Sequence, residues 1–167
     1  MSMEYGLLKS LLEKTSRRRM KHKKSDNFET KSVSSSLVRF AIDFKPEFVS
    51  DEVKQIAQLS LFDWFVVSLA GQTEPVSNII RGQIKSDGGA EDCTVIGTTQ
   101  RFPARASALA NGTTSHALDY DDTHFAYLGH PSVAIIPAAI AIGEKTNTKP
   151  EKFWSAVILG LETVTRI

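Results

Sequence analysis

Residues 111–144 guide the interpretation of the whole chain, and they read NGTTSHALDYDDTHFAYLGHPSVAIIPAAIAIGE. Three of the chain's four histidines and three aspartates fall within 15 of these residues: His116, Asp119, Asp121, Asp122, His124 and His130. The segments on either side have the small, apolar residues of closely packed helices. A polar loop so rich in acid–base groups, set between two helices, predicts a site rather than a part of the core.

The length and composition are those of one globular domain. The chain has 167 residues, of which 41% are apolar, and this is enough for a hydrophobic core. The longest apolar run, residues 59–70, is too short to span a membrane and is interrupted by Asp63. A net charge of +1 argues against a polyanionic partner such as nucleic acid. Because the single cysteine, Cys93, cannot form an internal disulfide, we expect a reducing, cytoplasmic environment, or a mitochondrial one in a eukaryote.

The first 36 residues differ in composition from the rest. Residues 1–31 carry nine Lys/Arg against four Asp/Glu, with the basic run SRRRMKHKK at 16–24. Such a run is found in nucleic-acid, membrane-surface and targeting segments, but a solvated tail is the commoner case. A Ser-rich stretch follows and ends at residue 36. We therefore predict a disordered tail over 1–36 and a folded domain over 37–167.

Helical periodicity dominates the folded part, so the predicted fold class is mostly α. Helices are predicted over 51–70, 75–85, 103–118, 131–144 and from 148 onward, where TKPE has capping-box spacing. The first should be buried, because its second half, LSLFDWFVVSLA, is apolar almost all round. Residues 93–96 are the one short extended segment that we expect. Asn111–Gly112 is typical of a turn, but the surrounding pattern favours a helix with Gly at a close contact.

Two side chains of the predicted core are chemically notable. Asp63 interrupts the apolar helix, and because a buried aspartate needs partners we predict a structural hydrogen bond rather than catalysis. Cys93 has no neighbour in the sequence that would lower its pKa. We therefore predict a small buried residue at Cys93 and not a nucleophile.

His130 stands directly before Pro131, where a helix is predicted to begin. The positive end of the helix macrodipole disfavours a charged imidazole there, and a neutral imidazole is what a general base requires. The same helix end could bind a carboxylate. Proton abstraction next to a carboxylate is one interpretation, and a histidine that only caps the helix is the other.

A metal site is a further alternative for this loop. Three aspartates cannot all be close, dry and ionised unless a cation or a histidine neutralises part of their charge. Acceptable ligands for Zn, Mn or Fe are available at four positions: His116, Asp119, His124 and His130. Their spacing matches no metal-binding signature, so this interpretation, a metal hydrolase, depends on composition alone.

The motifs HALDYDDT at 116–123 and HPS at 130–132, together with Asn111–Gly112 and the Ala-rich helix up to Glu144, resemble the MmgE/PrpD family. That family includes 2-methylcitrate dehydratase and cis-aconitate decarboxylase. Its members act on small tricarboxylates, assemble as homodimers, and use neither a metal nor an organic cofactor. The resemblance implies that His130 is the acid–base catalyst, and that Asp119 and Thr123 line the substrate site.

The resemblance also implies what this chain does not contain. Family members have a large helical domain and a smaller α+β lid, with further site residues downstream, whereas this sequence covers only part of the helical domain. We therefore expect a fragment of a 2-methylcitrate dehydratase-like lyase that is inactive alone. Decarboxylase and epimerase chemistry remain alternatives, as does a non-enzymatic, truncated paralogue that binds carboxylates or pairs with another subunit.

Overall fold

The computed structural model describes residues 32–166. They form six α-helices, one 3-10 helix and two short strands: α1 (Val33–Asp43), the 3-10 helix (Pro46–Phe48), α2 (Asp51–Gly71), α3 (Pro75–Asp87), β1 (Cys93–Thr94), β2 (Arg101–Phe102), α4 (Ala104–Ser115), α5 (Ser132–Thr146) and α6 (Pro150–Val164). The predicted mostly-α fold is confirmed. Among the described residues, none of these helices combines the length and the apolar character that crossing a membrane requires.

The described residues fall into two compact units, one that ends at Val53 and one that begins at Lys54. In the first unit, the Ser32 hydroxyl accepts a hydrogen bond from the Ser35 N–H at 3.2 Å and so caps α1. This helix begins four residues before the predicted domain start at Leu37. The proposed basic tail lies outside the described residues for all but its last few positions, so the boundary stays a prediction.

In the second unit, α2 packs through one side only. Trp64 of this helix is almost fully buried and joins a core cluster with Ile136 of α5 and with Val157 and Leu161 of α6. The opposite side is open, and Phe62 is 66% exposed. The prediction of a helix buried all round is therefore wrong, because the other described helices cover only the Trp64 side.

Helices α4 and α5 lie unusually close together, because α4 carries small residues where they meet. A Cβ on Gly112 would come within 3.0 Å of the Val133 backbone oxygen. A Cβ on Gly71 would come within 2.3 Å of the Thr114 backbone oxygen, so α2 also approaches α4 closely. The predicted helix through Gly112 with a close contact is confirmed. It ends at Ser115, however, three residues earlier than predicted.

A small β-hairpin is attached to α4 and α5. Strand β1 pairs with β2 in antiparallel register, so Cys93 is opposite Phe102. The expected extended segment at 93–96 is thus confirmed over its first two residues, and β2 was not predicted. Asn111 of α4 fastens the hairpin, since its side chain accepts from the Ile96 N–H at 2.9 Å and donates to the Thr94 carbonyl at 3.0 Å.

Cys93 is a buried structural residue, as predicted. Its thiol is fully buried and donates to the Ala141 carbonyl at 3.1 Å. Burial raises the pKa of the Cys93 thiol, and the nearby Glu144 carboxylate acts in the same direction. The reactive thiolate is therefore disfavoured.

The last helix begins differently from the prediction. Residues 148–151 have capping-box spacing, but the N-cap is Lys149 and no side chain caps the helix there. Pro150, at the first helical position, begins the helix because its fixed φ suits the first turn and it has no N–H to satisfy. One face of this helix is buried, with Val157 and Leu161 in the core.

Candidate active site

The loop between α4 and α5 carries the acid–base residues. It returns on itself because the His124 N–H donates to the Gly129 carbonyl at 2.9 Å and the Leu128 N–H donates to the His124 carbonyl at 2.8 Å. Asp119 and Leu128 adopt left-handed backbone conformations, with φ of 56° and 53°. These turns bring the two ends of the loop together, and with them His116 and His130.

Asp122 caps α5 from within the loop. Its buried carboxylate accepts from the Ser132 N–H at 3.1 Å and from the Ser132 hydroxyl at 2.6 Å. A carboxylate at this position satisfies a free N–H of the first turn and interacts favourably with the helix dipole. Asp122 thus takes one N–H of the helix end at which the sequence suggested that a carboxylate could bind.

The His130 ring is held between two aspartates. Its Nδ1 lies 3.1 Å from the Asp121 backbone oxygen and 3.4 Å from the Asp121 carboxylate, and its Nε2 lies 3.2 Å from the Asp119 carboxylate. A carbonyl can only accept, so the Asp121 contact is made by a protonated Nδ1. The helix-cap interpretation of His130 is not supported, because the ring binds the loop and Asp122 caps the helix.

His116 shares the same buried carboxylate. Its Nδ1 lies 2.8 Å from Asp121 Oδ1, and its ring centroid is 4.8 Å from that of His130. The Asp121 side chain is 0% exposed, whereas that of Asp119 is 75% exposed. The histidines that the sequence suggested as partners of the aspartates thus contact the buried carboxylate.

Asp121 is the residue that the sequence did not single out. It is the middle of three similar aspartates, and nothing in the spacing shows which of them is buried. Its Oδ2 is buried without a hydrogen-bond partner among the described residues. The only available signal was the general rule that such a group of carboxylates requires neutralisation.

The other predicted site residues lie further from this centre. Thr123 is exposed on the loop and directly follows the buried Asp122 in the sequence. His124 does not belong to the cluster of possible metal ligands, in which Asp121 takes the place that the sequence suggested for His124. The geometry thus brings His130 and Asp119 into contact and leaves Thr123 accessible.

Asp63 of α2 is electrostatically connected to this site. Burial raises the pKa of the Asp63 carboxyl, and the negative charges of Asp122 and Asp121 raise it further. Its Oδ2 is buried and has no hydrogen-bond partner among the described residues. The structural hydrogen bond predicted for Asp63 is thus not made by this oxygen.

Four side chains could in principle hold a metal ion. One donor atom from each of His116, Asp119, Asp121 and His130 lies within 4.8 Å of the others. The donor types suit zinc or manganese. The contact of His116 with the Asp121 carboxylate and that of His130 with the Asp121 carbonyl, however, are hydrogen bonds that need a proton on Nδ1 of each ring. A ring nitrogen that carries a proton cannot also bind a metal ion.

Two comparisons relate the chain to known proteins. A family model described as the MmgE/PrpD N-terminal domain matches residues 35–167, which confirms the resemblance seen in the motifs. The cis-aconitate decarboxylase-like protein oryM of Aspergillus oryzae is 27% identical over 150 residues. That match covers 86% of this chain and 31% of the relative, so the chain spans about a third of the relative's length.

Replacing Asp63 with Asn should stabilise the fold at neutral pH. Because the folded-state pKa of Asp63 is raised, its ionisation costs stability as the pH rises from the ordinary aspartate range, about 4, through that folded-state pKa. Urea unfolding at pH 7 should give Asp63→Asn a higher midpoint, and the gain should shrink as the pH falls toward 4. Glu91→Gln, in an exposed loop, is the control. An equal gain at every pH would contradict the explanation.

Elemental analysis should find no stoichiometric transition metal in the purified protein. The Nδ1 atoms of His116 and His130 are already used in hydrogen bonds to Asp121. Purification without chelator, followed by mass spectrometry for Zn, Mn and Fe, is the measurement. One bound ion per chain that is lost in His116→Ala would favour the metal hydrolase instead.

Proposed function

The chain belongs to the MmgE/PrpD family, and from that membership and the contacts of His130 we propose that it is part of a cofactor-independent lyase for small tricarboxylates. The favoured reaction is the dehydration of a 2-methylcitrate-like substrate. The observation that best supports the proposal is the pair of contacts that hold the His130 ring. Its Nδ1 is held by the loop at Asp121, and its Nε2 faces the exposed carboxylate of Asp119.

A His130 ring held by these contacts can act as a general base. A proton on Nδ1, donated to the Asp121 carbonyl, leaves the lone pair of a neutral ring on Nε2. Asp119 contacts Nε2, is 75% exposed and can move aside when a substrate arrives. His130 would then take the proton from the carbon next to a substrate carboxylate. The C–H electron pair forms the new double bond, and the hydroxyl group leaves with its bonding pair and is protonated to water.

Asp119 and Thr123 would contact the substrate in different ways. A carboxylate repels the carboxylates of a tricarboxylate, so Asp119 is suited to accept a hydrogen bond from the substrate hydroxyl. The exposed Thr123 hydroxyl can donate to a carboxylate. Both residues remain proposals that rest on the motif and on their accessibility.

Decarboxylation and epimerisation are alternatives from the same proton chemistry. Similarity to a protein named as cis-aconitate decarboxylase-like favours decarboxylation over epimerisation. In a decarboxylase, His130 would return a proton to the carbanion that remains after carbon dioxide leaves. Incubation with 2-methylcitrate or cis-aconitate, followed by identification of the product, separates these outcomes.

The exposed surface of α2 and the buried cysteine bear on the quaternary state and the compartment. Exposed apolar side chains follow one side of α2: Leu59, Phe62, Phe65, Val66 and Leu69. Apolar surface of this kind marks protein–protein contact, and we propose a second copy of the chain as the partner. The buried free thiol of Cys93 suits a reducing compartment, the cytoplasm or the mitochondrial matrix.

Replacing His130 with Ala should lower kcat by about 10²–10⁴-fold, because it removes the general base. The protein is to be assayed as its cell produces it, at saturating tricarboxylate. His124→Gln is the matched control, since this histidine lies in the same loop but outside the cluster, and it should lose less than about tenfold. A loss below tenfold in His130→Ala would exclude this histidine as the base.

Replacing the exposed Phe62 with Glu should weaken self-association. A charge on the apolar side of α2 would have to be desolvated in a dimer, which is costly. Sedimentation velocity over a range of concentrations should show a concentration-dependent dimer for the native chain and mainly monomer for Phe62→Glu. Glu91→Gln again provides an exposed-surface control. A native chain that stays monomeric throughout would rule out this surface as a homodimer contact.

A further inference from the structure

The Asp121 side chain lies between two imidazole rings. It is 0% exposed, and its Oδ1 is 2.8 Å from His116 Nδ1 and 3.4 Å from His130 Nδ1. An ionised carboxylate has no proton to donate, so the histidines must supply the protons for these contacts. One buried negative charge therefore acts on the same nitrogen of both rings.

We propose that Asp121 is a positioning residue that keeps the proton of each neutral ring, His116 and His130, on Nδ1. The two Nε2 atoms are then the positions at which protons are exchanged with a substrate. This inference rests on the proposed function only where it says that the Nε2 atoms exchange protons with a substrate. The tautomers themselves are a property of the folded chain.

In His130, the acceptors at the two nitrogens compete for one proton. Nδ1 faces two acceptors, the Asp121 carbonyl at 3.1 Å and its carboxylate at 3.4 Å. Nε2 faces one, the Asp119 carboxylate at 3.2 Å. Asp119 is largely exposed, so water can replace this contact, whereas a buried acceptor that loses its donor pays the full desolvation cost. The Nδ1–H tautomer is therefore favoured.

In His116 the preference is simpler. Both of its recorded carboxylate contacts are made by Nδ1, to Asp121 at 2.8 Å and to Asp119 at 3.9 Å. The first is short enough for a charge-assisted hydrogen bond, which is stronger than a neutral one. His116 should therefore depend on Asp121 even more than His130 does, since His130 also has the backbone carbonyl.

The test is the tautomer of each ring in the 167-residue chain, measured by nitrogen-15 NMR at alkaline pH, where the rings are neutral. The native rings should both carry the proton on Nδ1. In Asp121→Asn the ratio of Nδ1–H to Nε2–H should fall by about tenfold in His116, which corresponds to one charge-assisted hydrogen bond. The change in His130 should be smaller, because its carbonyl contact remains.

Asp122→Asn is the matched control. This neighbouring carboxylate is equally buried but binds Ser132 at the start of α5. It should lower the free energy of unfolding and leave both tautomers unchanged. A merely structural role for Asp121 would make the two variants behave alike.

Two results would overturn the inference: Nε2–H rings in the native chain, or unchanged tautomers in Asp121→Asn. The first is decisive even if the variant does not fold. The readout does not involve turnover, so it is separable from the proposed function. An active His130→Ala enzyme would refute the lyase base without bearing on the tautomers of the native chain, and unchanged tautomers in Asp121→Asn would refute the role of Asp121 without bearing on the base.

Discussion

The close approach of α4 to α5 is the constraint on which the site depends. A Cβ on Gly112 would lie only 3.0 Å from the Val133 backbone oxygen, so glycine allows the two helices to approach closely here. His116 follows the end of one helix and His130 precedes the start of the other. Because the helices are held together, the ends of the connecting loop meet, and two histidines that are 14 positions apart come within ring-contact distance.

The folding of this loop buries negatively charged side chains, which is energetically unfavourable unless they have partners. Asp121 and Asp122 are both buried, and each obtains its partners from a different source. Asp122 uses the N-terminal end of α5 and the Ser132 hydroxyl, while Asp121 uses imidazoles. Asp63, which receives the field of both charges, is the carboxyl whose pKa rises. The negative charge of the loop is thus accommodated by one helix end and two histidines, and it raises the pKa of the Asp63 carboxyl.

The sequence predicted five of the six described helices, though not α1, and it predicted the family, because both depend on local patterns. Periodicity placed most helix ends within a few residues, and the HALDYDDT and HPS motifs indicated the site and His130. It did not distinguish among Asp119, Asp121 and Asp122, because their burial depends on how the loop folds across α5. The sequence also did not show that one side of α2 is exposed. An apolar residue looks identical in the sequence whether or not another described helix covers it. The short strand β2 has too few residues to show an alternating pattern.

The order of the two buried aspartates limits where residues can be inserted into this loop or deleted from it. Adjacent side chains that serve different partners require a fixed register, so an inserted or deleted residue before Asp122 would turn the helix cap toward the histidines. The far side of the loop is closed by the His124–Gly129 pair, and Leu128 beyond it is 87% exposed. Length variation is therefore tolerable in the closed tip at 125–128 and not in the segment at 119–122. The loop thus has two parts. The length of the segment at 119–122 is constrained by the two buried aspartates, whereas the length of the tip at 125–128 can vary without moving the histidines.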